Sequence, residues 1–287
     1  MVKGLCGVVI LYHPADEVFR NIMTYADVLE KLWIIDNTED DLRDYKAFFA
    51  ENENIEIIQD GNNAGIGSRL NFAIKKAQLA GYTWLLTMDQ DSSFTRSNLN
   101  ACLSVLAAAD SGQNIAVIGV RHHHEEKDPE KNITLKSSTD IITSGTFVNL
   151  CSIGAIGLMN EDLFIDEVDS DFTYRAIIAG WQAFICDGIY LRHNFGERRV
   201  VRSFLTGKTS NRGIHSPLRL YYITRNFLWV KKQYGAYFPA VFKTRQKQLF
   251  NIYKNDLLYN KQWIQSVRMI RKGFSDFKKN KSGKLTK

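Results

Sequence analysis

Along the first hundred residues, short apolar runs alternate with segments whose apolar positions recur every three or four residues. Residues 7–11, 33–35, 55–58 and 82–88 are rich in β-branched, aromatic or other apolar side chains, and each predicts a buried strand. They stop at Tyr12-His13-Pro14, Asp36-Asn37-Thr38, Asp60-Gly61-Asn62-Asn63 and Asp89-Gln90-Asp91. Between them, residues 18–32, 42–50 and 68–80 have helical spacing. In the last of these Leu70, Ala73, Ile74 and Ala77 share one face, with Ser68 as the expected cap. Strands alternating with helices argue for right-handed βαβ units and a parallel sheet. Beyond residue 100 the pattern is mixed. Residues 115–120 and 184–191 read as strands, 122–132 as a polar loop, 143–151 as an apolar segment turning at Ser144-Gly145, and 161–180 as largely helical. Residues 217–277 predict two or three basic, aromatic-rich helices, and 278–287 a disordered end.

At 287 residues, 45% hydrophobic and 24% charged, the chain is an ordinary globular protein, one large domain or one domain with an appendage. No run approaches the ~20 apolar residues needed to span a bilayer. The start lacks a cleavage-site pattern, so a cytoplasmic location is expected. Cys6, Cys102, Cys151 and Cys186 are scattered, without zinc-site spacing, and read as free, buried thiols. Charge changes the picture more. Residues 191–287 carry 23 Lys and Arg against 3 Asp and Glu, whereas the remainder carries 14 against 28. An acidic body with a basic tail suggests a metal-using front and a polyanion-facing back.

The chemistry concentrates where strands end. Asp89 and Asp91 are two apart on an extended chain, so both carboxylates leave the strand on one side, at the end where open α/β sheets bind ligands. Neighbouring carboxylates repel unless a cation neutralises them, and a hard divalent ion bridging carboxylate and phosphate oxygens is the natural solution. Asp36 ends the second predicted strand, where it can contact a nucleobase or ribose or simply cap a turn beside Glu39-Asp40-Asp41. Asn62-Asn63-Ala64-Gly65-Ile66-Gly67 precedes a helix and offers either a close backbone approach to an anion or a plain loop. In Phe164-Ile165-Asp166-Glu167-Val168-Asp169-Ser170-Asp171-Phe172, apolar residues pin an acidic cluster in which one carboxylate could serve as a general base, while Asp171 could pair with Arg175 four residues on. His193 ends a strand, His122-His123-His124 reads as solvated, and Tyr221-Tyr222-Ile223-Thr224-Arg225-Asn226 begins a basic helix whose Arg225 could face a pyrophosphate or cover a helix surface.

Taken in order, these segments resemble the inverting family-two glycosyltransferases of the GT-A fold, above all bacterial rhamnosyltransferases of surface polysaccharide synthesis. The likeness runs from about residue 7 to 230 and rests on Val8-Val9-Ile10-Leu11-Tyr12-His13-Pro14, Ile34-Ile35-Asp36-Asn37, Asn63-Ala64-Gly65-Ile66-Gly67 with Asn71, Met88-Asp89-Gln90-Asp91-Ser92, Ser144-Gly145, the 164–175 acidic segment, His193 and Tyr221-Tyr222 to Arg225-Asn226. It implies a Rossmann-like, mostly parallel sheet flanked by helices over residues 1–215, with donor binding in about 1–100 and acceptor binding in about 101–215. Residues 216–287 would form a helical extension. Implied donor contacts are Asp36, Asn63, Gly65, Asn71, Asp89 and Arg225; implied ligands to Mg2+ or Mn2+ are Asp89, Asp91 and, more weakly, His193. Asp169 matches the family's base, but the commoner pattern has Glu directly before it and this chain has Val168, which leaves Asp166 and Asp171 arguable. The implied reaction moves a hexose, first of all rhamnose from dTDP-rhamnose, from a nucleotide sugar to a lipid-linked glycan, with the tail on an anionic membrane face. A homodimer is left open. The rival readings are a nucleotidyltransferase, against which Tyr12-His13-Pro14-Ala15-Asp16 lacks a basic glycine-rich loop, and a nucleic-acid-binding protein using the tail.

Overall fold

The computed structural model describes residues 3–40, 44–109, 114–194, 198–202, 207 and 209–286. Contacts divide the chain into two units, Met1–Phe164 with Val168–Asn194, and Ile165–Glu167 with Phe195–Lys287.

The first unit is built on a nine-stranded sheet. Its strands are β1 (Leu5–Leu11), β2 (Lys31–Asp36), β3 (Ile55–Gln59), β4 (Trp84–Asp89), β5 (Ser92–Ser93), β6 (Ile115–His123), β7 (Thr134–Ser137), β8 (Thr146–Asn149) and β9 (Gln182–His193), in the order β3-β2-β1-β4-β8-β6-β9-β5, with β7 also on β9. The helices are α1 (Glu17–Met23), α2 (Ile66–Leu79), α3 (Arg96–Ala109), α4 (Ile153–Ile156) and α5 (Val168–Ile178). Strand β1 is buried at every position, as a central strand covered on both faces must be. Strands β1 to β4 are mutually parallel, and β8 runs antiparallel between β4 and β6, which restores the direction of β4 in β6 and β9. The sheet is therefore mostly parallel, as expected. The carboxyl ends of β1, β2, β3, β4, β6 and β9 all reach one edge, and the loop before β8 arrives there too.

Three predicted elements differ. The spacing in 18–32 is not one helix. Helix α1 stops at Met23, where the Thr24 hydroxyl donates to Asn21 O (2.6 Å) and accepts from Phe94 N (3.1 Å). A 3-10 turn at Ala26–Val28 follows, and Lys31 already belongs to β2, so buried Leu29 and Leu32 come from separate elements. Residues 46–49 form a 3-10 turn, while Asp41, Leu42 and Arg43 lie outside the described residues. Helix α2 begins at Ile66 with Gly65 at the cap position, so Ser68 is inside the helix. Cys6, Cys102 and Cys186 are buried, but Cys151 sits in the turn after β8 and is exposed. Burial pushes the Cys6 and Cys186 thiols up to about 12.

The second unit holds a two-stranded sheet, β10 (Arg198–Arg202) with β11 (Thr209–Gly213), and three helices, α6 (Pro217–Tyr234), α7 (Pro239–Tyr259) and α8 (Trp263–Lys278). Ser216 caps α6 and Pro217 opens it, a combination suited to a helix start. Helices α6 and α8 approach so closely at Gly273 that a Cβ there would lie 2.8 Å from Tyr221 O. Residues beyond α8 are not a loose end. Leu285 N donates to Tyr222 Oη and Arg225 donates to Gly283 O, both at 2.8 Å, which corrects the disorder expected for 278–287; Lys287 lies outside the described residues. The unit's described acids are engaged internally. Asp256 meets His215, Asp276 meets Lys272 and Tyr221, and Asp166 and Glu167 meet arginines. Of the unit's aromatics, Tyr234 and Phe242 are buried, whereas Tyr237, Phe250 and Trp263 are exposed.

Candidate functional site

The acid pair sits at the edge of the sheet where the carboxyl ends gather. Asp89 is the last residue of β4, and the chain turns through Gln90 and Asp91 into β5. That two-residue strand pairs Ser92 with His193 and Ser93 with Arg192, which fastens the turn to the end of β9. Strand β9 reaches this point after an irregularity that takes the β6 partner from Cys186 to Tyr190 in one step, with Gly188 at φ +97° inside it. The result is a cluster in which ligand atoms of Asp89, Asp91 and His193 lie within 4.8 Å of one another. His193 Nδ1 is 3.3 Å from Asp91 Oδ1, and the His193 side chain is 12% exposed.

A second layer of polar residues holds this cluster. Ser144 Oγ donates to Ser92 Oγ (2.7 Å) and accepts from Asp89 N (3.2 Å), while Ser92 Oγ is 2.7 Å from His193 Nδ1. His122 Nε2 donates to Ser144 O at 2.8 Å, and its ring meets His193 edge-on at 5.4 Å between centroids. Burial pushes the His122 pKa down to about 4 and lowers that of His193, the latter opposed by the Asp91 charge. His122 therefore belongs to the site, which corrects the solvated reading of the triplet; His123 and His124 are exposed. Gln90 faces the other way. Its amide accepts from Tyr12 N (2.8 Å) and donates to Tyr12 O (3.1 Å). Two carboxylates and an imidazole are a donor set that fits a hard divalent ion such as Mn2+ or Mg2+.

The loops after β2 and β3 form a second polar group. Asp36 is 1% exposed; it accepts from Thr38 N, Tyr45 Oη (2.6 Å) and Gln59 Nε2. Asn37 donates to Asn63 Oδ1 and accepts from Ala64 N and Arg69 Nε. Arg69, 6% exposed on α2, also grips the Asp60 carboxylate with both terminal nitrogens at 2.6 and 2.7 Å. The glycines serve this chain's own packing. Gly65 has φ +84°, and a Cβ there would lie 2.7 Å from Phe164 O; at Gly67 it would lie 2.9 Å from Asn160 O. Asn71 is 2% exposed and closes a two-way clasp on Met159, donating to its O (2.9 Å) and accepting from its N (2.8 Å), with a further bond to Glu161.

The acidic segment separates into distinct environments. Asp171 is buried and pairs with Arg175 at 2.9 Å, the i,i+4 contact expected, and Arg175 also donates to Ile156 O and Leu158 O. Asp169, in the first turn of α5, accepts from Thr143 N (3.1 Å) and Ser170 N (2.7 Å) and lines a mainly apolar cavity with Thr87, Ile142, Thr143, Met159 and Phe172. Asp166 belongs to the second unit and accepts from Arg219 at 2.9 Å.

Residues 27–165 match the family model described as Glycosyl transferase family 2. The chain carries a family 2 glycosyltransferase domain. The match takes in Asp36, Asn63, Gly65, Asn71, Asp89 and Asp91 and ends just before Asp166. The transferase is 27% identical over 254 residues to the dTDP-rhamnosyl transferase RfbF of Shigella flexneri, with 82% of each chain covered. Its fold is similar to residues 1–349 of S. aureus TarS, with a TM-score of 0.57 at 13% identity over 96% of this chain and 80% of that one. It is also similar to GalNAc-T7 solved with UDP, GalNAc and Mn2+, at a TM-score of 0.51 and 11% identity, covering 66% of this chain and 43% of that chain. The fold is thus that of the GT-A glycosyltransferases.

Within the transferase, Asp89, Asp91 and His193 come together at one edge, while Asp36, Asn63, Gly65 and Asn71 form a connected group through Asn37, Arg69 and the 159–164 segment. Arg225 is in the helical unit, 1% exposed, with its guanidinium donating to Asn226 Oδ1, Tyr221 Oη and Gly283 O. Sequence reasoning did not single out Ser92, Gln90, Arg69 or His122. A serine or histidine carries no local mark of a partner fifty or a hundred residues away; the one available signal was that Ser92 and Ser144 flank the turns on which the acid pair depends.

Proposed function

We propose that this glycosyltransferase is metal-dependent and inverting, moving a sugar from a nucleoside-diphosphate donor to a glycan hydroxyl, with dTDP-rhamnose as the first donor to test. The convergence of Asp89, Asp91 and His193 at the sheet edge carries the reading, and the 27% identity to a dTDP-rhamnosyl transferase supports the choice of donor. Asp89, Asp91 and His193 would hold Mn2+ or Mg2+, which when bound supplies a Lewis acid beside the departing diphosphate. Asp36, Asn63 and Gly65 are assigned to the donor's nucleoside end, in a donor-binding part of about residues 1–100 followed by an acceptor-binding part to about 215. Asp169 is assigned as general base. It takes the acceptor hydroxyl proton as that oxygen bonds the anomeric carbon and the carbon–oxygen bond to the diphosphate breaks on the opposite face. Support for Asp169 over its neighbours comes from the cavity it lines and from the arginines engaged with Asp166 and Asp171.

The acceptor is proposed to be lipid-linked, presented at an anionic membrane face to which the helical unit docks. No helix among the described residues is long and apolar enough to cross a membrane. One stripe of α7 instead interleaves exposed Lys243, Lys247 and Lys254 with exposed Phe250, Leu257 and Leu258, while the described acids of the unit face inward. Interfacial attraction contributes about 1 kcal/mol per basic residue, and apolar side chains add to it. Thermal-shift screening of UDP, dTDP and GDP sugars with Mn2+, followed by transfer assays, tests the donor: a ligand at 100 times its Kd adds about 2.7 kcal/mol of stability. Absence of a Mn2+-dependent shift with every nucleotide would overturn the metal-dependent reading. Co-sedimentation with anionic but not neutral vesicles at low salt tests the docking, and no sedimentation with either refutes it.

A further inference from the structure

The loop leading into β8 hydrogen-bonds at once to the turn bearing the acid pair and to Asp169, and all of the residues involved belong to the first unit. Thr143 N donates to Asp169 Oδ2 at 3.1 Å. The next residue, Ser144, is 0% exposed; its Oγ accepts from Asp89 N and donates to Ser92 Oγ, which in turn contacts His193 Nδ1. Two consecutive residues, with Cα atoms about 3.8 Å apart, therefore hold the assigned base and the assigned cation ligands. The loop is itself fastened to the sheet. The Thr87 hydroxyl, on a 1% exposed residue of β4, is shared between Thr143 O (2.5 Å) and Thr146 O (3.1 Å), and Gly145 N donates to Thr87 O at 2.9 Å. The Thr146 hydroxyl donates to Ile142 O at 2.6 Å. Gly145 has φ +72°, and a Cβ there would lie 2.8 Å from Val120 and 2.9 Å from Leu191, so the turn is packed against β6 and β9.

We propose that residues 143–145 are a spacer that fixes the distance from the cation site to the general base, with Ser144 and Thr87 as positioning residues. The proposal rests on the assignment of Asp89, Asp91 and His193 to a cation and of Asp169 as base. In an in-line displacement the base acts at one end of the reacting line and the cation at the other, so their separation must match the length of that line. A displacement of about 1 Å costs on the order of 10²-fold in rate. The Thr87 hydroxyl bonds the loop and the start of β8, not the cation ligands or the base, so its removal loosens both ends at once. Thr87→Val removes it at nearly constant shape, and Thr87→Ser keeps it.

The test measures Mn2+ affinity by calorimetry, and Mn2+-dependent hydrolysis of the nucleotide sugar selected by thermal shift, dTDP-rhamnose first. Both are read in the parent, Thr87→Val, Thr87→Ser, Ser144→Ala and Asp169→Asn. Water is the acceptor in this hydrolysis: its oxygen bonds the anomeric carbon, Asp169 takes its proton, and the carbon–oxygen bond to the diphosphate breaks. Ser144→Ala is expected to weaken Mn2+ binding about 10-fold. Thr87→Val is expected to lower hydrolysis about 10- to 100-fold and to weaken Mn2+ binding as well, whereas Thr87→Ser keeps both near the parent and Asp169→Asn loses hydrolysis alone. If Asp169→Asn is inactive while Thr87→Val matches the parent in either readout, the spacer is refuted and the reading of the site stands. Equal losses in Thr87→Val and Thr87→Ser also refute it, since the hydroxyl would then not matter, and unchanged Mn2+ affinity in Ser144→Ala detaches the loop from the cation site and refutes it too. A parent that binds no Mn2+ or leaves every screened donor intact, or an active Asp169→Asn, overturns the reading of the site and the spacer with it.

Discussion

Replacing Asn71 by Ala removes a clasp between α2 and the 159–161 segment, and its cost can be worked from the contacts. The amide serves both backbone groups of Met159, a residue that is 7% exposed, so neither can turn to water when the side chain is lost. Each buried group left unsatisfied costs roughly 1–3 kcal/mol. Alanine returns about 0.5 kcal/mol of helix propensity. The expected net loss is about 3 kcal/mol, or about 5 °C in melting midpoint at roughly 2.1 cal/mol/K per residue. Equilibrium unfolding in urea measures it, with the slope m unchanged between the two proteins. Asn71→Asp is a control in the same direction, since aspartate keeps the acceptor for Met159 N but cannot donate to Met159 O and faces the Glu161 carboxylate. A loss below about 1 kcal/mol in both variants would refute the clasp and return Asn71 to the donor contact that the sequence suggested.

The remaining expectations are more direct. Asp91→Ala should weaken Mn2+ binding by more than the roughly 10-fold typical of losing an outer-shell partner and abolish transfer while leaving the melting temperature of the metal-free protein unchanged; calorimetric titration with unaltered Mn2+ affinity would remove Asp91 from the site. Gly65→Ala forces a side chain into a positive-φ position 2.7 Å from Phe164 O and should destabilise by about 3 kcal/mol, from backbone strain plus overlap; a melting curve that matches the parent would show that the 160–164 segment gives way. Thiol labelling of the native protein at pH 8 should modify Cys151 within minutes and spare Cys6, Cys102 and Cys186, whose burial raises their pKa; fast labelling of any of the three would contradict their packing.

What was legible in the sequence follows from the range of the interactions that fix it. Strands β1 to β4 and the helix carrying Leu70, Ala73, Ile74 and Ala77 announce themselves through local periodicity. The Asp89–Asp91 pair stood out because a buried strand precedes it. The i,i+4 pairing of Asp171 with Arg175 is a property of one helix and needed no tertiary information. Strand β5 was invisible because two serines carry no period; they form a strand only because β9 ends beside them. His122 looked like its neighbours His123 and His124, and what distinguishes it is the pairing of β6 with β9, in which His122 lies opposite Leu191. The same limit explains residues 18–32, where apolar positions from a helix, a turn and a strand happen to fall at helical intervals. Cys151 was misjudged because apolar neighbours in sequence do not ensure burial at a turn.

Gln90 gives the acid pair a property that the carboxylates could not provide for themselves. The backbone pairing of β1 with β4 ends at Ile10 and Asp89, where a parallel ladder would normally begin to fray. By offering one acceptor and one donor to the two backbone groups of Tyr12, the Gln90 side chain imitates a further peptide unit and lengthens the ladder by one step. The turn bearing Asp89 and Asp91 is thereby ordered before any ligand arrives. Fixing a residue's backbone costs roughly 1–2 kcal/mol, and a site that has met this cost during folding has less to lose on binding. The middle position of the triplet is thus where conformational entropy is settled in advance, and glutamate, which cannot donate, would return that cost to the binding step.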